Sequence, residues 1–342
     1  MLRCRVAAEW RKLRGSRTGK AGGADASSAA FRALGNLITW LFSHLANCNG
    51  DGHKGEALLK LDLGGAQIHV VSDGDMHLGP AVGQYLNAPD EDVLESVGMG
   101  GCTDGQFVIA QNCLVVSRGE RLVLIDTGVG PNPLFGPTTG KLLANLAAAG
   151  IDRAKITDVI LTHPHLDHAG GVAIAEGHPS FPKAPIYVNA ADFDFWTDIS
   201  SAPSGSFLAP IIRGVGDALL ALRERIVFYQ PGEELVPGFT AVSAPGHTAH
   251  HCAIAIHGDG QVALISGDAV HHPMQVANPQ WQFHGDADGV LAARTRARLF
   301  DMAATDNMVF LSFHFAYPGV GRIVRHSNSY TFNLVQARVA AL

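Results

Sequence analysis

Between Leu161 and Gly171 the chain reads LTHPHLDHAGG, which places His163, His165, Asp167 and His168 within six residues. Imidazole nitrogens and carboxylate oxygens at this density are the donor set of a divalent metal site. Pro164 biases His163 toward extended backbone, and alternate residues of an extended segment point the same way. His163 and His165 can therefore face one ion together. Asp167 and His168 follow where the chain is expected to turn, with Gly170 and Gly171 relieving the steric limits of that turn. This second pair can face another ion nearby, so one loop serves two metals. A hydrolytic site for two ions needs further donors from distant segments, and three apolar runs end in one: His247 in APGHT, Asp268 in ISGDAV and His314 in LSFHF. Functional groups sit on loops held by a rigid scaffold in this way. Taken singly, each could be a hydrogen-bonded core or edge residue, and for a lone His that is the favoured reading; their joint order changes the odds.

The elements that must position these residues are legible from Lys60 onward. KLDLGGAQIHVVSDG, QFVIAQNCLVV and ERLVLIDTG read as strands, because β-branched and apolar residues are bounded by Gly, Asp and Ser turn signals. The spacing of Leu142, Leu143, Leu146 and Ala149 predicts a helix that Gly150 ends. ITDVILTH is a short buried strand that delivers the histidine cluster. The second half repeats the style, with strands in APIYVNA, FTAVSAPGH, HCAIAIHG, QVALISGD and MVFLSFHF. Helices are expected in FLAPIIRGVGDALLALRERI and DADGVLAARTRARLFDMAAT. Strands in runs followed by helices predict an α/β fold of two sheets packed face to face with helices outside.

Composition narrows the function further. The chain has 342 residues and a formal net charge of -6, so it lacks the broad cationic surface that a phosphate backbone requires; nucleic acid is not an expected partner. Its five cysteines form no Cys-x-x-Cys pair, which argues against a disulfide framework or a thiolate zinc site and for reduced, structural thiols. Residues 1–57 form an N-terminal extension, expected to be poorly ordered or partly helical. It begins with a run of Arg and Lys and continues through a small-residue linker into a partly apolar stretch. That order mimics an export signal, but Asn36 and His44 interrupt the apolar run, so a cytoplasmic location is expected, with export to the periplasm as the alternative. No apolar run reaches the roughly 20 residues of a membrane span.

The motifs THPHLDH, then GHT, then GD, then a late His, preceded by LIDTG, together resemble the metallo-β-lactamase superfamily over residues 58–342. The resemblance implies one hydrolase domain with the αββα sandwich, two mixed β-sheets flanked by helices. It implies one metal held by His163, His165 and His247, a second held by Asp167, His168 and His314, and Asp268 bridging both. Asp126 in LIDTG matches a position that supports the site from behind. The C-terminal HFAYPGVGRIVRHSNSYTF is similar to the branch containing methyl parathion hydrolase and the quorum-quenching lactonases. In those lactonases a Tyr stands three residues beyond the bridging Asp, where this chain has His271. Homodimers are common in that branch, and one is possible here.

The resemblance implies two divalent ions, zinc first, with manganese, cobalt or iron also suited to these donors. Two such ions roughly 3.5 to 4 Å apart share a hydroxide and polarise the attacked oxygen. The expected activity is therefore metal-dependent hydrolysis of a small-molecule ester, lactone or phosphotriester by a metal-bridging hydroxide. Asp268 and Asp167 are the candidate proton acceptors, and His271 is a candidate donor to the substrate. The alternatives are a mononuclear iron oxidoreductase of the persulfide dioxygenase type and a β-lactam-hydrolysing member of the same fold. Phe193, Phe195, Trp196, Trp281, Phe283, Phe315 and Tyr317 lie near the expected site loops, and some of them are expected to line an apolar pocket.

Overall fold

A computed structural model describes residues 59–99, 104–198, 209–327 and 329–335. The N-terminal extension, and with it the expected signal-like segment, lies outside the described residues, as do Cys4, Cys48 and Cys102. Strands β1 (Leu59–Asp62), β2 (Gln67–Pro80), β3 (Gln106–Arg118), β4 (Arg121–Ile125) and β5 (Asp158–Ile160) open the fold, with helix α1 (Asp90–Met99) after β2 and α2 (Leu142–Ala148) after β4. The short α3 (Leu166–Ala169) and the small β6 (Ala173–Ala175) and β7 (His178–Pro179) pair follow. Next come β8 (Ile186–Asn189), α4 (Ala190–Thr197), α5 (Ala209–Ala221) and β9 (Ile226–Tyr229). The second half comprises β10 (Glu234–Val236), β11 (Phe239–Ser243), β12 (Cys252–His257), β13 (Val262–Ile265), α6 (Met274–Ala277), α7 (Gly289–Thr305), β14 (Val309–Leu311), β15 (Val320–Arg325) and β16 (Tyr330–Leu334).

The strands form two seven-stranded sheets, ordered β1-β2-β3-β4-β5-β8-β9 and β10-β11-β12-β13-β14-β15-β16. Both are mixed. In the first, β4, β5, β8 and β9 run parallel; in the second, β13 and β14 are the one pair of parallel neighbours among the described strands. Period-two alternation explains how each sheet buries both faces. On β3, Leu114 and Val116 point into a core shared with Phe239, Ile254 and Ile256 of the second sheet. Cys113 and Val115 point the other way, onto Leu142 and Leu146 of α2 and Leu219 of α5. The outer face of the second sheet is covered by Leu299, Phe300 and Ala303 of α7. The layers therefore stack α, β, β, α, each fully buried aliphatic side chain contributing about 1.5–3 kcal/mol. Cys113 and Cys252 are free and buried. Among the described residues no helix is long and apolar enough to cross a membrane.

Two local expectations are corrected. The segment read as one strand from Lys60 is a hairpin, because Gly64 and Gly65 adopt φ of 70° and 72° and reverse the chain between β1 and β2. The helix expected to run through Ile226 stops at Ala221, and Ile226 starts β9 in register with Ile186 of β8. Parallel pairing with a buried strand outweighs the helical preference of Arg-Glu-Arg.

Candidate metal centre

Every candidate donor sits just past the end of a strand. His163 and His165 follow β5, and α3 starts directly after His165, so Asp167 and His168 project from its single turn. His247 follows β11, Asp268 follows β13 and His314 follows β14. Within each sheet the donor-bearing strands run one way: β4 and β5 are parallel in the first, and in the second β13 and β14 are parallel, with β11 sharing their direction because β11 and β13 both pair antiparallel with β12.

Gly170 and Gly171 serve a different end from the one expected. Gly170 has an ordinary helical φ of -62°. What these two positions require is close approach: a Cβ on Gly171 would lie 2.0 Å from the Thr127 carbonyl and one on Gly170 2.3 Å from the Val129 carbonyl. The absent side chains let the histidine turn lie against the loop that carries Asp126.

The donor atoms gather in two groups that share Asp268, one of His163, His165, His247 and Asp268, the other of Asp167, His168, Asp268 and His314. All are buried except His165, which is half-buried and marks the open side. In the first group His165 Nδ1 lies 2.8 Å from His163 Nε2 and 2.8 Å from His247 Nε2. His247 Nε2 is 3.1 Å from Asp268 Oδ2. In the second, His168 Nε2 lies 2.9 Å and His314 Nε2 3.1 Å from Asp268 Oδ1. Asp167 Oδ2 stands 3.4 Å from His168 Nε2 and 3.5 Å from His314 Nε2.

The outer ring nitrogens decide the tautomers. His168 Nδ1 donates to Asp126 Oδ2 at 2.9 Å, His247 Nδ1 to Asp286 Oδ1 at 3.1 Å, and His314 Nδ1 to the Ala110 carbonyl at 2.9 Å. In the neutral rings the inward Nε2 atoms therefore carry lone pairs, aimed at one another and at two carboxylates. His168 Nε2 and Asp268 Oδ1 are left without hydrogen-bond partners. Such a concentration of buried lone pairs is repulsive unless a cation sits among them. The residues thus fit divalent metal ions.

The acid–base behaviour expresses the same demand. Burial opposes ionisation of Asp268, but the charges of His168, His314 and His247 overcome it and hold the carboxyl well below its usual range. Asp167 is likewise drawn down to about 2, against burial, chiefly by His168. Burial would depress His247, yet Asp268 and Asp286 raise it to about 9. His163 and His165 are pushed down, first by burial and then by neighbouring histidines, His165 to about 3. The two carboxylates take a proton on nearby imidazoles, or a metal ion in its place.

His271 belongs to the same chamber. Its Nε2 lies 3.5 Å from Asp268 Oδ2, and neither ring nitrogen has a hydrogen-bond partner. The ring packs on Phe283, centroids 4.1 Å apart. Burial lowers its pKa to about 4, so it is neutral at pH 7. Of the candidate aromatics, Phe283 and Trp196 adjoin the site, Trp196 with its ring 5.0 Å from that of His165. Phe193, Trp281 and Phe315 belong to hydrophobic cores, Tyr317 packs against the core between the sheets, and Phe195 is exposed.

Asp126 does more than form a turn. It sits at φ 58°, and its carboxylate accepts from the Thr162 amide, the Thr162 hydroxyl and His168. Sequence reasoning missed three further residues: His251, which accepts from the Asp268 amide; Asp286 behind His247; and Arg296, buried beside Asp286. The only sequence signal was proximity, His251 lying four residues after His247 in GHTAHH.

Comparison with known proteins matches this architecture. The chain spans about three fifths of the length of the curated relatives it matches, among them a probable metallo-hydrolase of Mycobacterium tuberculosis that is 28% identical over 203 residues, 50% of this chain and 60% of that protein. The dizinc quorum-quenching lactonase AidC, solved with the product N-hexanoyl-L-homoserine, is similar in structure with a TM-score of 0.75 and 26% identity, over 82% of this chain and 98% of that one. The hydrolase AbOPH of the β-lactamase superfamily gives a TM-score of 0.74 at 25% identity, over 82% and 97%. The metallo-β-lactamase superfamily profile matches residues 107–314, a span that begins on β3 and ends on the last donor, His314. With its two mixed sheets, flanking helices and donor-bearing strand ends, the chain belongs to the metallo-β-lactamase superfamily.

Proposed function

We propose that the chain is a metal-dependent hydrolase with two divalent ions per site, acting on a small ester, lactone or phosphotriester. One observation carries this reading: inward lone pairs form two donor groups around one shared carboxylate, more donors than a single ion takes. His163, His165 and His247 would hold one ion, Asp167, His168 and His314 the other, and Asp268 both. When bound, such ions supply an activated water at neutral pH and polarise the substrate oxygen.

The chain's own residues do the rest. His165 and Trp196 border the open side, where the substrate enters and its apolar portion packs. His271, neutral and clamped on Phe283, offers one N–H to the substrate oxygen without adding charge. Asp167 and Asp268, both held ionised, accept the proton released by the attacking water. Likeness to AidC ranks lactones first among the substrates.

The test is metal content per chain joined to hydrolysis of an acyl-homoserine lactone, an aryl ester and methyl parathion. Two divalent ions and chelator-sensitive turnover are expected. An Asp268→Ala chain that kept both its metal and its turnover would overturn the assignment, and a single iron with oxygen uptake on a thiol substrate would replace hydrolysis by oxidation.

A further inference from the structure

Behind His247 lies a buried ion pair that the chemistry above does not use. Asp286, in the loop before α7, accepts from His247 through Oδ1, while its Oδ2 has no hydrogen-bond partner and faces Arg296 Nη2 at 3.5 Å. Arg296, on α7, is fully buried. Its Nε donates to the Ala269 carbonyl and its Nη1 to the carbonyls of Pro279 and Trp281, each at 2.7 Å. One guanidinium thus links helix α7, the carbonyl next to Asp268, the segment leading to Phe283 and the carboxylate that orients His247. Burying an arginine is costly unless it is matched; here Nε and Nη1 meet three carbonyls, while Nη2, without a hydrogen bond, faces the carboxylate as an ion pair.

Asp286 also stands near His247 and His271 in a grouping with metal-like spacing. A cation there would meet the Arg296 guanidinium beside the same carboxylate, and Asp286 Oδ1 is already engaged by His247 Nδ1. The guanidinium already faces that carboxylate, which opposes a further cation there and favours an orienting role for the pair.

We propose that Asp286 and Arg296 are positioning residues that set the affinity of the His163, His165 and His247 centre independently of the other centre. The inference rests on the two-ion reading. It follows from which groups hold which rings. His247 depends on Asp286, whereas His168 is held by Asp126 and His314 by the Ala110 carbonyl. The shared Asp268 has its own anchor, the hydrogen bond from its backbone N–H to His251 Nε2, which does not involve Asp286. Carboxylates behind metal-bound imidazoles fix the ring and raise its basicity, so their loss weakens metal binding 10- to 100-fold.

The test is cobalt(II) titration of the full-length apoprotein against a competing chelator, following the visible cobalt absorption for each binding event. In Asp286→Ala the dissociation constant of one event is expected to rise about 10- to 100-fold, the other staying within about twofold. Asp286→Asn, which keeps an acceptor for His247 Nδ1, is expected to restore most of the loss. Arg296→Lys, which keeps charge but not the fork, is expected to weaken the same event and serves if the alanine variant does not fold. Two unchanged constants, or two that weaken together alongside a lower apoprotein melting temperature, would overturn the proposal. A wild-type chain binding one ion would remove the two-ion reading, and the pair would then stand only if Asp286→Ala weakened that ion.

Discussion

The backbone amide of Asp268 donates to Nε2 of His251 at 3.0 Å, and His251 in turn donates from Nδ1 to the Ala244 carbonyl at 3.0 Å. The shared carboxylate is thus held by a neutral ring, whose pKa burial and His247 bring down to about 3. This arrangement leaves no room at the preceding residue. Gly267 has φ +49°, and a Cβ there would lie 2.4 Å from His251 Nε2. Gly267→Ala is expected to destabilise the fold by about 1–3 kcal/mol for the left-handed backbone and by a similar amount for the overlap. It should also lower metal content. Urea unfolding of the chelated variant, which removes any contribution from metal, checks the first effect.

Asp126 orients His168 as Asp286 orients His247. Asp126→Ala would strip the His168 ring and the Thr162 amide of their common acceptor. Metal affinity is expected to fall about 10- to 100-fold, read by competition with a chelator. Unchanged affinity would show that Asp126 does not support metal binding through His168.

His271 separates chemistry from metal binding. In His271→Phe the ring volume against Phe283 is kept while the N–H donor is lost. Turnover is expected to fall about 100-fold with metal content unchanged, the cost of removing one transition-state donor. A variant with full turnover would make His271 a spectator.

Asp192 gives a pH dependence of known sign. It is buried on α4 with Oδ2 unpaired, near His247, Tyr229 and Cys252. Burial raises its pKa from 3.8 to about 7, with His247 opposing. A folded-state pKa above the unfolded one means that the folded chain binds the proton more tightly. The associated stability is full below about pH 4 and is lost as the pH rises toward 7. The loss is on the order of 4 kcal/mol. Asp192→Asn is therefore expected to be more stable than wild type at pH 8, with the difference vanishing at pH 4. Denaturant unfolding of chelated samples across that range measures the gap, and a pH-independent gap would show that Asp192 is ionised in the fold.

The donors were legible in the sequence because a metal site concentrates rare residue types at the ends of apolar runs, as His163, His247 and His314 illustrate. The sandwich was legible because strands such as β3 bury both faces. His251 and Arg296 were hidden for a physical reason: their partners are backbone groups far along the chain, the Asp268 amide and the Ala269, Pro279 and Trp281 carbonyls. No residue type announces such a bond. The end of α5 was misread because the partner that claims Ile226 for a strand, Ile186, lies in another element.

The donors divide between the sheets: His163, His165, Asp167 and His168 come from the first, and His247, Asp268 and His314 from the second. Neither half owns a complete cage. An ion bound across them would act as a clasp on the sandwich, and a nascent chain holds all seven donors only once His314, beyond β14, has been made. A bound ion would then report that the two halves have closed.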